Sequence, residues 1–351
     1  MPSRPSWPPP GIVQRAWLEL ADGRCLVDAV EVSTSVSTNQ VFRVTLDDGT
    51  TLVTKVSSYG RFRDFYDDHE SIRGWTEALS HGPYASFLAR AVCKDDKVYV
   101  YNEGRHWVVF YVDVVVKDRL PRILSGSQIV DLAEALARFH VQSWEVREQV
   151  PGTAKSIESD LADLAHRLSN ERWVFEFPLS VVEADFLRGQ IDVLSSNLER
   201  LEYHQTLKIP VLIDWNTGNF SVIFQSGHFR FFSRWDYDWF RLGSPLLDFY
   251  FASRVVSSMG DRSEFSYAPN TLLDPRFCLF LRTYSRVRPL APEELLLLPE
   301  LYRFFVLNYV VKDGEHFFRP RICRRLRKKV VKLHLPALDA MDLRMLRRCV
   351  S

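Results

Sequence analysis

The sequence predicts an α+β fold with two lobes, and three observations along the 351 residues support this. Short β-branched runs fill the first third, helical spacing of apolar residues fills the rest, and one strand–loop–strand segment at 210–236 interrupts the helical part. A small antiparallel β lobe with one helix is therefore assigned to 27–114. A larger, mainly helical lobe is assigned to 115–351, with the loops of greatest interest at 211–240. Residues 1–26, which begin MPSRPSWPPP, are predicted to form a Pro-rich N-terminal extension.

The small lobe is predicted from runs rich in Val, Thr and aromatic residues, which favour strands. Between two of these runs lies Asp47-Asp48-Gly49, a sequence typical of a hairpin turn. One amphipathic helix interrupts the strands. The predicted strands are 27–33, 40–46, 51–57, 97–101 and 106–112, and the helix is 63–79.

The large lobe is predicted from apolar residues that recur every three to four positions. In its first helix Ile129, Leu132, Leu136 and Phe139 share one face, and a serine near the start favours an N-cap. The predicted helices are 125–145, 180–203, 245–258, 275–287, 292–312 and 320–348.

Composition limits the classes of function. A formal net charge of +1 gives no global field for nucleic acid, and no apolar run is long enough to span a membrane. The N-terminus has no signal-peptide h-region, and the five scattered cysteines predict reduced thiols in a cytoplasmic protein. Basic residues outnumber acidic ones from Lys312 to Arg348, with RRLRKK at 324–329. A solvated helix face is the first interpretation of that run, and a surface for an anionic partner is the alternative.

A carboxylate and an amide stand five residues apart in IDWNTGNF, at Asp214 and Asn219. The same spacing recurs at Asp192 and Asn197, inside a predicted helix without turn residues, so spacing alone carries little weight. The first pair differs because it follows the apolar run IPVLI, contains Thr217 and Gly218 as turn formers, and precedes another strand.

Phosphoryl transfer needs such a loop, because one carboxylate must orient the attacking hydroxyl and an amide oxygen can hold a hard cation. A second carboxylate must reach the same cation. Asp236 follows the strand HFRFF and fits that role, with Asp238 close enough to compete. Lys55, in the strand TLVTKVS, is the candidate cation for nucleotide phosphates, and Glu70 on the following acidic helix is its predicted partner.

Together these segments resemble the aminoglycoside phosphotransferase and choline kinase family, a small-molecule branch of the protein-kinase-like fold. The family's phosphate loop and lysine strand are similar to STSVSTNQVFRVTLDDGTTLVTK, and its Leu-Ala-x-x-Leu-His helix is similar to LAEALARFH, which ends at His140. Its His-Gly-Asp-x-x-x-x-Asn loop resembles LIDWNTGNF. Its metal segment resembles WDYDWFRLGSPLLDFYFAS, where Gly243, Pro245 and Asp248 have the family's spacing.

The resemblance implies a bilobal protein-kinase-like fold and an ATP-dependent, Mg²⁺-requiring transfer of the γ-phosphoryl group to a hydroxyl of a small molecule. GTP stays open as the donor, as does the oligomeric state. His140 and Asp248 are expected to be architectural. The implied site residues are Asp214 as the catalytic base, Asn219 and Asp236 as Mg²⁺ ligands, Lys55 with Glu70 at the α- and β-phosphates, Ser37 and Thr38 in the phosphate loop, and Tyr111, Val112 and Asp113 beside the adenine.

Three departures keep a second interpretation open. Leu212 and Ile213 stand where the family has His-Gly, no glycine lies between Glu31 and Gln40, and Arg234 replaces an apolar residue in the metal strand. A catalytically weak or inactive kinase-like protein, acting as a nucleotide-binding or interaction scaffold, is therefore the alternative. For an active enzyme, the helices after 245 are expected to form the acceptor pocket, and a cationic acceptor would suit nearby aromatic and acidic residues. The residues considered for this pocket are Trp215, Asp238, Trp239 and Tyr250.

Overall fold

The computed structural model describes residues 11–33, 39–153, 155–177, 179–261 and 267–350. The chain forms two compact units. The first comprises 1–115 together with 148–154 and 233–238, and the second comprises 116–147, 155–232 and 239–351. The predicted phosphate-loop residues Ser37 and Thr38 lie outside the described residues.

The first unit is built on a five-stranded antiparallel sheet whose strands lie in the order β1 (Leu26–Glu31), β2 (Gln40–Leu46), β3 (Thr51–Ser57), β7 (His106–Val112) and β6 (Val100–Glu103). The predicted turn joins β2 to β3, where Gly49 has φ 82° and donates its N–H to the carbonyl of Leu46. The predicted strands 27–33, 40–46, 51–57 and 106–112 and the predicted helix are present, whereas the predicted strand 97–101 is interrupted at Tyr99 and its two halves belong to different sheets. The remaining elements are α2 Phe62–Ala78, β4 Cys93–Lys94 and β5 Lys97–Val98.

The region predicted as an N-terminal extension contains a helix, α1 (Ile12–Leu20). Its apolar face packs with the sheet in one core, and the hydroxyl of Tyr99 donates to the carbonyl of Ala16 at 2.7 Å. The guanidinium of Arg15 donates twice to the carboxylate of Glu103. The apolar spacing of Ile12, Val13, Ala16, Trp17 and Leu20 indicates this helix, but the neighbouring prolines obscured the pattern.

The second unit is mainly helical, as predicted, and one strand–loop–strand segment lies within it. Two π-helical segments, Val306–Lys312 and Val330–His334, continue helices that the sequence predicted as unbroken. The helices are α3 Gly126–Glu145, α4 Ile157–Leu168, α5 Glu171–Glu176, α6 Val181–Arg200, α7 Phe249–Val256, α8 Pro275–Val287, α9 Pro292–Phe305, α10 Gly314–Phe317, α11 Pro320–Lys329, α12 Leu335–Asp339 and α13 Leu343–Arg348, and the strands are β8 Ile209–Val211, β9 Phe220–Gln225, β10 His228–Arg234 and β11 Arg241–Gly243.

The expectation of five reduced thiols is wrong for one pair, because Cys278 on α8 and Cys349 after α13 form a disulfide. They are 71 positions apart, and such a separation carries no local signal in the sequence. Cys25, Cys93 and Cys323 are free thiols, as expected.

None of the helices in the described ranges is long and apolar enough to cross a membrane.

Candidate active site

Lys55 lies on β3 between β2 and β7, and its side chain is only 8% exposed. Its ammonium group donates to Asp236 Oδ1 at 2.8 Å and to Asp238 Oδ1 at 2.6 Å. All three residues belong to the first unit, because 233–238 fold with it. Lys55 therefore binds two acidic side chains, which lie 181 and 183 positions later in the chain.

The segment WDYD presents both carboxylates to one cation because the residue between them points into the core. Tyr237 is buried, and its hydroxyl donates to the carbonyl oxygens of Ala89 at 2.9 Å and Arg234 at 3.2 Å. Asp236 has φ 71°, a left-handed conformation that turns the chain at this point. The amide of Asn39 donates to Asp238 Oδ2 at 2.7 Å, which orients the second carboxylate.

These charges stabilise one another strongly. Burial acts to raise the pKa of Asp236, but the positive charge of Lys55 and its hydrogen bond outweigh this and hold that pKa at about 2. Burial acts to lower the pKa of Lys55, but the carboxylates of Asp236 and Asp238 raise it above its ordinary value. Arg234 adds positive charge near Asp236. At neutral pH Lys55 is thus an ammonium and Asp236 a carboxylate, and Asp238 is the second acidic partner of Lys55.

The predicted pair of Lys55 with Glu70 is not formed in this structure. Glu70 accepts from the guanidinium of Arg73 at 3.0 Å and from the backbone N–H of Val98 at 2.6 Å. Arg73 lies one helical turn away on α2, so a local partner satisfies the carboxylate that the sequence assigned to Lys55. The acidic partners of Lys55 come from WDYD instead.

The residues predicted beside the adenine lie at the end of β7. Tyr111 is buried, with its ring centroid 5.8 Å from that of Tyr237. Val112 is half exposed, and the carboxylate of Asp113 accepts from Arg43 at 3.0 Å. Their predicted contact with adenine stays a prediction.

The loop that carries Asp214 belongs to the second unit. It leaves β8 through Leu212 and Ile213, both fully buried, and Ile213 has φ 61°. The backbone N–H of Asn216 donates to Asp214 Oδ1 at 3.1 Å. A short 3₁₀ turn, Thr217–Asn219, then leads into β9. A positive φ is strained for a β-branched residue such as Ile213. In the family that this chain resembles, the corresponding residue is glycine.

A buried carboxylate holds Ile213 in that conformation. Asp248 Oδ1 accepts from the backbone N–H of Ile213 at 2.6 Å, and Asp248 Oδ2 accepts from His140 Nε2 at 2.9 Å. The hydroxyl of Tyr284 lies 2.7 Å from His140 Nδ1. Burial lowers the pKa of His140, so the neutral imidazole donates to Asp248 and accepts from Tyr284. His140 and Asp248 are architectural here, as expected.

A second carboxylate, absent from the sequence-based predictions, holds the other end of the loop. Asp261 Oδ2 accepts from the backbone N–H and from the hydroxyl of Thr217, each at 2.8 Å. Arg254 on α7 donates to Asp261 Oδ1 at 2.9 Å and also to the side chain of Asn216. Asp261 is 44 positions from Thr217, and no local pattern in the sequence singles it out.

Replacing Asp261 by Ala is expected to free this end of the loop. Two donors of Thr217 lose their acceptor and Arg254 loses a carboxylate partner, so unfolding should become easier by about 2 kcal/mol. The amide of Thr217 should also exchange with deuterium faster than in the wild type. Asp261→Asn keeps an acceptor and should show a smaller change in both measurements. An unchanged exchange rate at Thr217 in the Ala variant would contradict this role.

Tyr250 and Tyr267 are buried phenols of the second unit. Burial raises the pKa of each well above its usual value, and the negative charge of Asp214 adds to this effect. Tyr250 stacks on Phe305, and Trp239 stacks on Tyr309 with ring centroids 4.6 Å apart. Of the residues considered for the acceptor pocket, Trp215 and Tyr250 are buried core residues, Trp239 is half-buried, and Asp238 is bonded to Lys55.

Solved structures share this fold over nearly the whole chain. A microcompartment-associated aminopropanol kinase aligns with a TM-score of 0.63 at 17% identity, covering 95% of this chain and 99% of that one. An amicoumacin kinase bound to AMP-PNP and Ca²⁺ aligns at 0.59 and 14% identity, covering 91% of both chains. This chain has the fold of small-molecule kinases. An ethanolamine kinase from Plasmodium vivax aligns at 0.54 and 14% identity, covering 91% of this chain and 84% of that one.

The predicted resemblance and the α+β kinase-like fold class are thus confirmed at the level of the fold. No family model and no curated protein sequence matches the chain. The kinase-like fold positions Lys55, Asp236 and Asp238 in one unit and the Asp214 loop in the other. The roles of these residues are a matter for proposal.

Proposed function

We propose that this kinase-like chain is an ATP-dependent phosphotransferase that transfers the γ-phosphoryl group to a hydroxyl of a small molecule. GTP is the alternative donor. The observation that carries the proposal is the cluster of Lys55, Asp236 and Asp238, in which an almost buried ammonium donates to two acidic side chains in a fold of small-molecule kinases. Phosphoryl transfer needs this combination of a cation for phosphate and carboxylates for a metal ion.

Lys55 would bind the α- and β-phosphates of the nucleotide. Its ammonium has three donors, and the two carboxylates accept from it in this structure. A phosphate oxygen would accept from the third N–H of Lys55 or take the place of one carboxylate. The role that the resemblance assigned to Glu70 would have to be indirect, because Arg73 and Val98 engage its carboxylate.

Asn219 and Asp236 are the proposed Mg²⁺ ligands. Their oxygen donors suit the metal, and the low pKa of Asp236 keeps that side chain ionised. Among the described residues no group of three or more His, Cys, Asp or Glu is arranged to hold a metal ion. Mg²⁺ commonly takes one or two protein oxygens and completes its shell with phosphates and water, so few protein ligands are needed. When bound, Mg²⁺ would neutralise charge on the phosphates.

Asp214 is the proposed base that orients the acceptor hydroxyl. Its loop is held by Asp248 at one end and Asp261 at the other, which gives the fixed geometry that positioning requires. Trp239, a half-buried ring of the same unit, suits an acceptor that carries a positive charge, since aromatic faces attract cations. Two similar structures are kinases of aminopropanol and ethanolamine, so hydroxyl compounds with an amine are the first acceptors to test.

The experiment is turnover of Mg·ATP and Mg·GTP over a panel of amino alcohols and aminoglycosides, with Asp214→Ala beside the wild type. We expect the variant to lose at least about 100-fold in kcat, as for loss of a general base. Asp192→Ala is the matched control, because Asp192 has the same spacing to an asparagine but lies exposed on α6. Equal rates for wild type and Asp214→Ala on every acceptor that turns over would refute the assignment.

A nucleotide-binding protein without transfer is the second candidate. It is favoured by Ile213, whose left-handed backbone places a bulky side chain directly before Asp214. A rise in melting temperature with Mg·ATP, without turnover of any acceptor, would select this candidate. The absence of both a shift and turnover would instead favour an interaction scaffold that binds no nucleotide.

A further inference from the structure

One face of the C-terminal helices carries an unbroken run of positive charge. Between Arg319 and Leu338 the sequence has no Asp or Glu, although the whole chain has nearly equal numbers of acidic and basic residues. Seven basic side chains in this region are exposed and form no ion pair with any residue in the described ranges. This basic strip consists of Arg319, Arg321, Arg324, Arg325, Lys328, Lys329 and Lys332.

The helix that bears the strip has a fixed orientation, because its other face is buried. Cys323, Leu326 and Val330 are buried at helical spacing on α11 and the π-helical segment after it. Arg327 is also buried, donates to the carbonyl of Val311 at 2.9 Å, and places its guanidinium 3.9 Å from the ring centroid of Phe177. The seven cations therefore form a preorganised surface and not a flexible tail.

Exposed apolar side chains lie within and beside the strip. Ile322 and Leu333 are 36% and 57% exposed on the helical run of the strip itself. The short helix α5 lies next to α11, because Trp173 and Phe177 both pack on Arg327. Between them in sequence, Phe175 is 84% exposed. Three exposed apolar side chains thus accompany the strip, two on its own helical run and one on the helix that packs beside it.

We propose that the basic strip, with Ile322, Leu333 and Phe175 beside it, docks this protein on an anionic phospholipid surface. Positive charge is drawn to acidic headgroups, and apolar side chains at the same place enter the boundary between headgroups and acyl chains. Nucleic acid would match the charge but would leave the aliphatic side chains without a partner. Because the net charge is only +1, the attraction is local and orients one face toward the membrane. The inference is independent of the proposed phosphotransferase activity.

Vesicle co-sedimentation of the full-length protein tests the proposal. The wild type should bind phosphatidylcholine vesicles that contain about 30% phosphatidylserine at about 0.1 M NaCl, and much less at about 0.5 M, because salt screens the attraction. It should not bind vesicles of phosphatidylcholine alone. Exchanging Arg324, Arg325, Lys328 and Lys329 for Gln should weaken binding at least about 100-fold. Phe175→Ser should weaken it about tenfold, since the variant lacks the exposed aromatic side chain that would enter the membrane boundary.

The control removes four exposed arginines elsewhere in the same unit, by exchanging Arg138, Arg188, Arg230 and Arg282 for Gln. This variant has the same net charge as the strip variant and should bind like the wild type. Equal affinities of the strip variant and the control variant for acidic vesicles would overturn the proposal. A wild type that does not bind acidic vesicles would also overturn it. Binding to a single-stranded RNA that is tighter than to vesicles and unaffected by Phe175→Ser would also overturn it.

Discussion

Lys55→Met is expected to lower the free energy of unfolding by about 3 kcal/mol at neutral pH, because it leaves two carboxylates facing each other without their cation. Lys55 is 8% and Asp238 18% exposed, so water cannot replace the lost ammonium fully. Asp236 is 32% exposed, so solvent partly stabilises its charge. The expected loss of stability is therefore at the low end of the range for removing one partner of a buried ion pair. Urea denaturation of the variant beside Lys97→Met, an exposed lysine in the same unit, measures the effect.

The pH dependence of that loss has a definite sign. The pKa of Asp236 is held at about 2, below its ordinary value of about 4, so its contribution is full above about pH 4 and disappears as the pH falls through about 2. Without Lys55, burial raises the pKa of this carboxyl, and protonation then favours the folded state. The difference in stability between wild type and Lys55→Met should therefore shrink from pH 7 toward pH 4.

A compensating variant separates charge from packing. Exchanging Asp236 and Asp238 for Asn in the Lys55→Met background removes the repulsion and should recover most of the lost stability, since a neutral cluster avoids the cost of unpaired buried charge. If Lys55→Met were as stable as Lys97→Met, the three residues would not be energetically coupled. The same conclusion would follow if the triple variant were no more stable than Lys55→Met alone. Double-mutant analysis is suited to neighbours of this kind.

Local patterns in the sequence predict the elements that surround this cluster. The turn at Asp47-Asp48-Gly49 depends on residues adjacent in the chain, and β3 and α2 follow from the spacing of apolar side chains. The position of Lys55 on a buried strand was therefore predictable. So was the arrival of Asp236 after β10, because a strand and the turn beyond it are both local features.

The hydrogen-bond partners of these side chains are harder to predict from the sequence. The sequence predicts Glu70 as the carboxylate for Lys55 and Asp236 as a metal ligand, whereas in the folded unit Lys55 donates to Asp236, 181 positions away. Arg73 pairs with Glu70 at a distance of three residues, and this local pairing is readable from the sequence. Asp261 and the disulfide of Cys278 with Cys349 depend on contacts between distant segments, for which a single sequence contains no periodic signal.

Asp248→Ala is expected to cost about 4 kcal/mol of stability, because one carboxylate serves two buried donors. The backbone N–H of Ile213 and Nε2 of His140 both donate to it, and all three residues are fully buried. Removing a charged acceptor leaves each donor without a hydrogen bond at a cost of about 1–3 kcal/mol, and a small cavity adds to this. Thermal and urea unfolding measure the loss, and Asp248→Asn, which keeps an acceptor for Ile213, should lose less.

The same substitution also tests how the loop geometry depends on Ile213. That residue has φ 61°, and the hydrogen bond to Asp248 opposes the strain of about 1–3 kcal/mol that a β-branched side chain has there. Once the bond is lost, Ile213 can relax to an extended backbone and carry Asp214 away from its position. Glycine adopts a positive φ without strain, so in an Ile213→Gly background Asp248→Ala should disturb the loop less. The readout is amide exchange at Asp214 and Asn216, and an equal increase in both backgrounds would show that Asp248 acts only through His140.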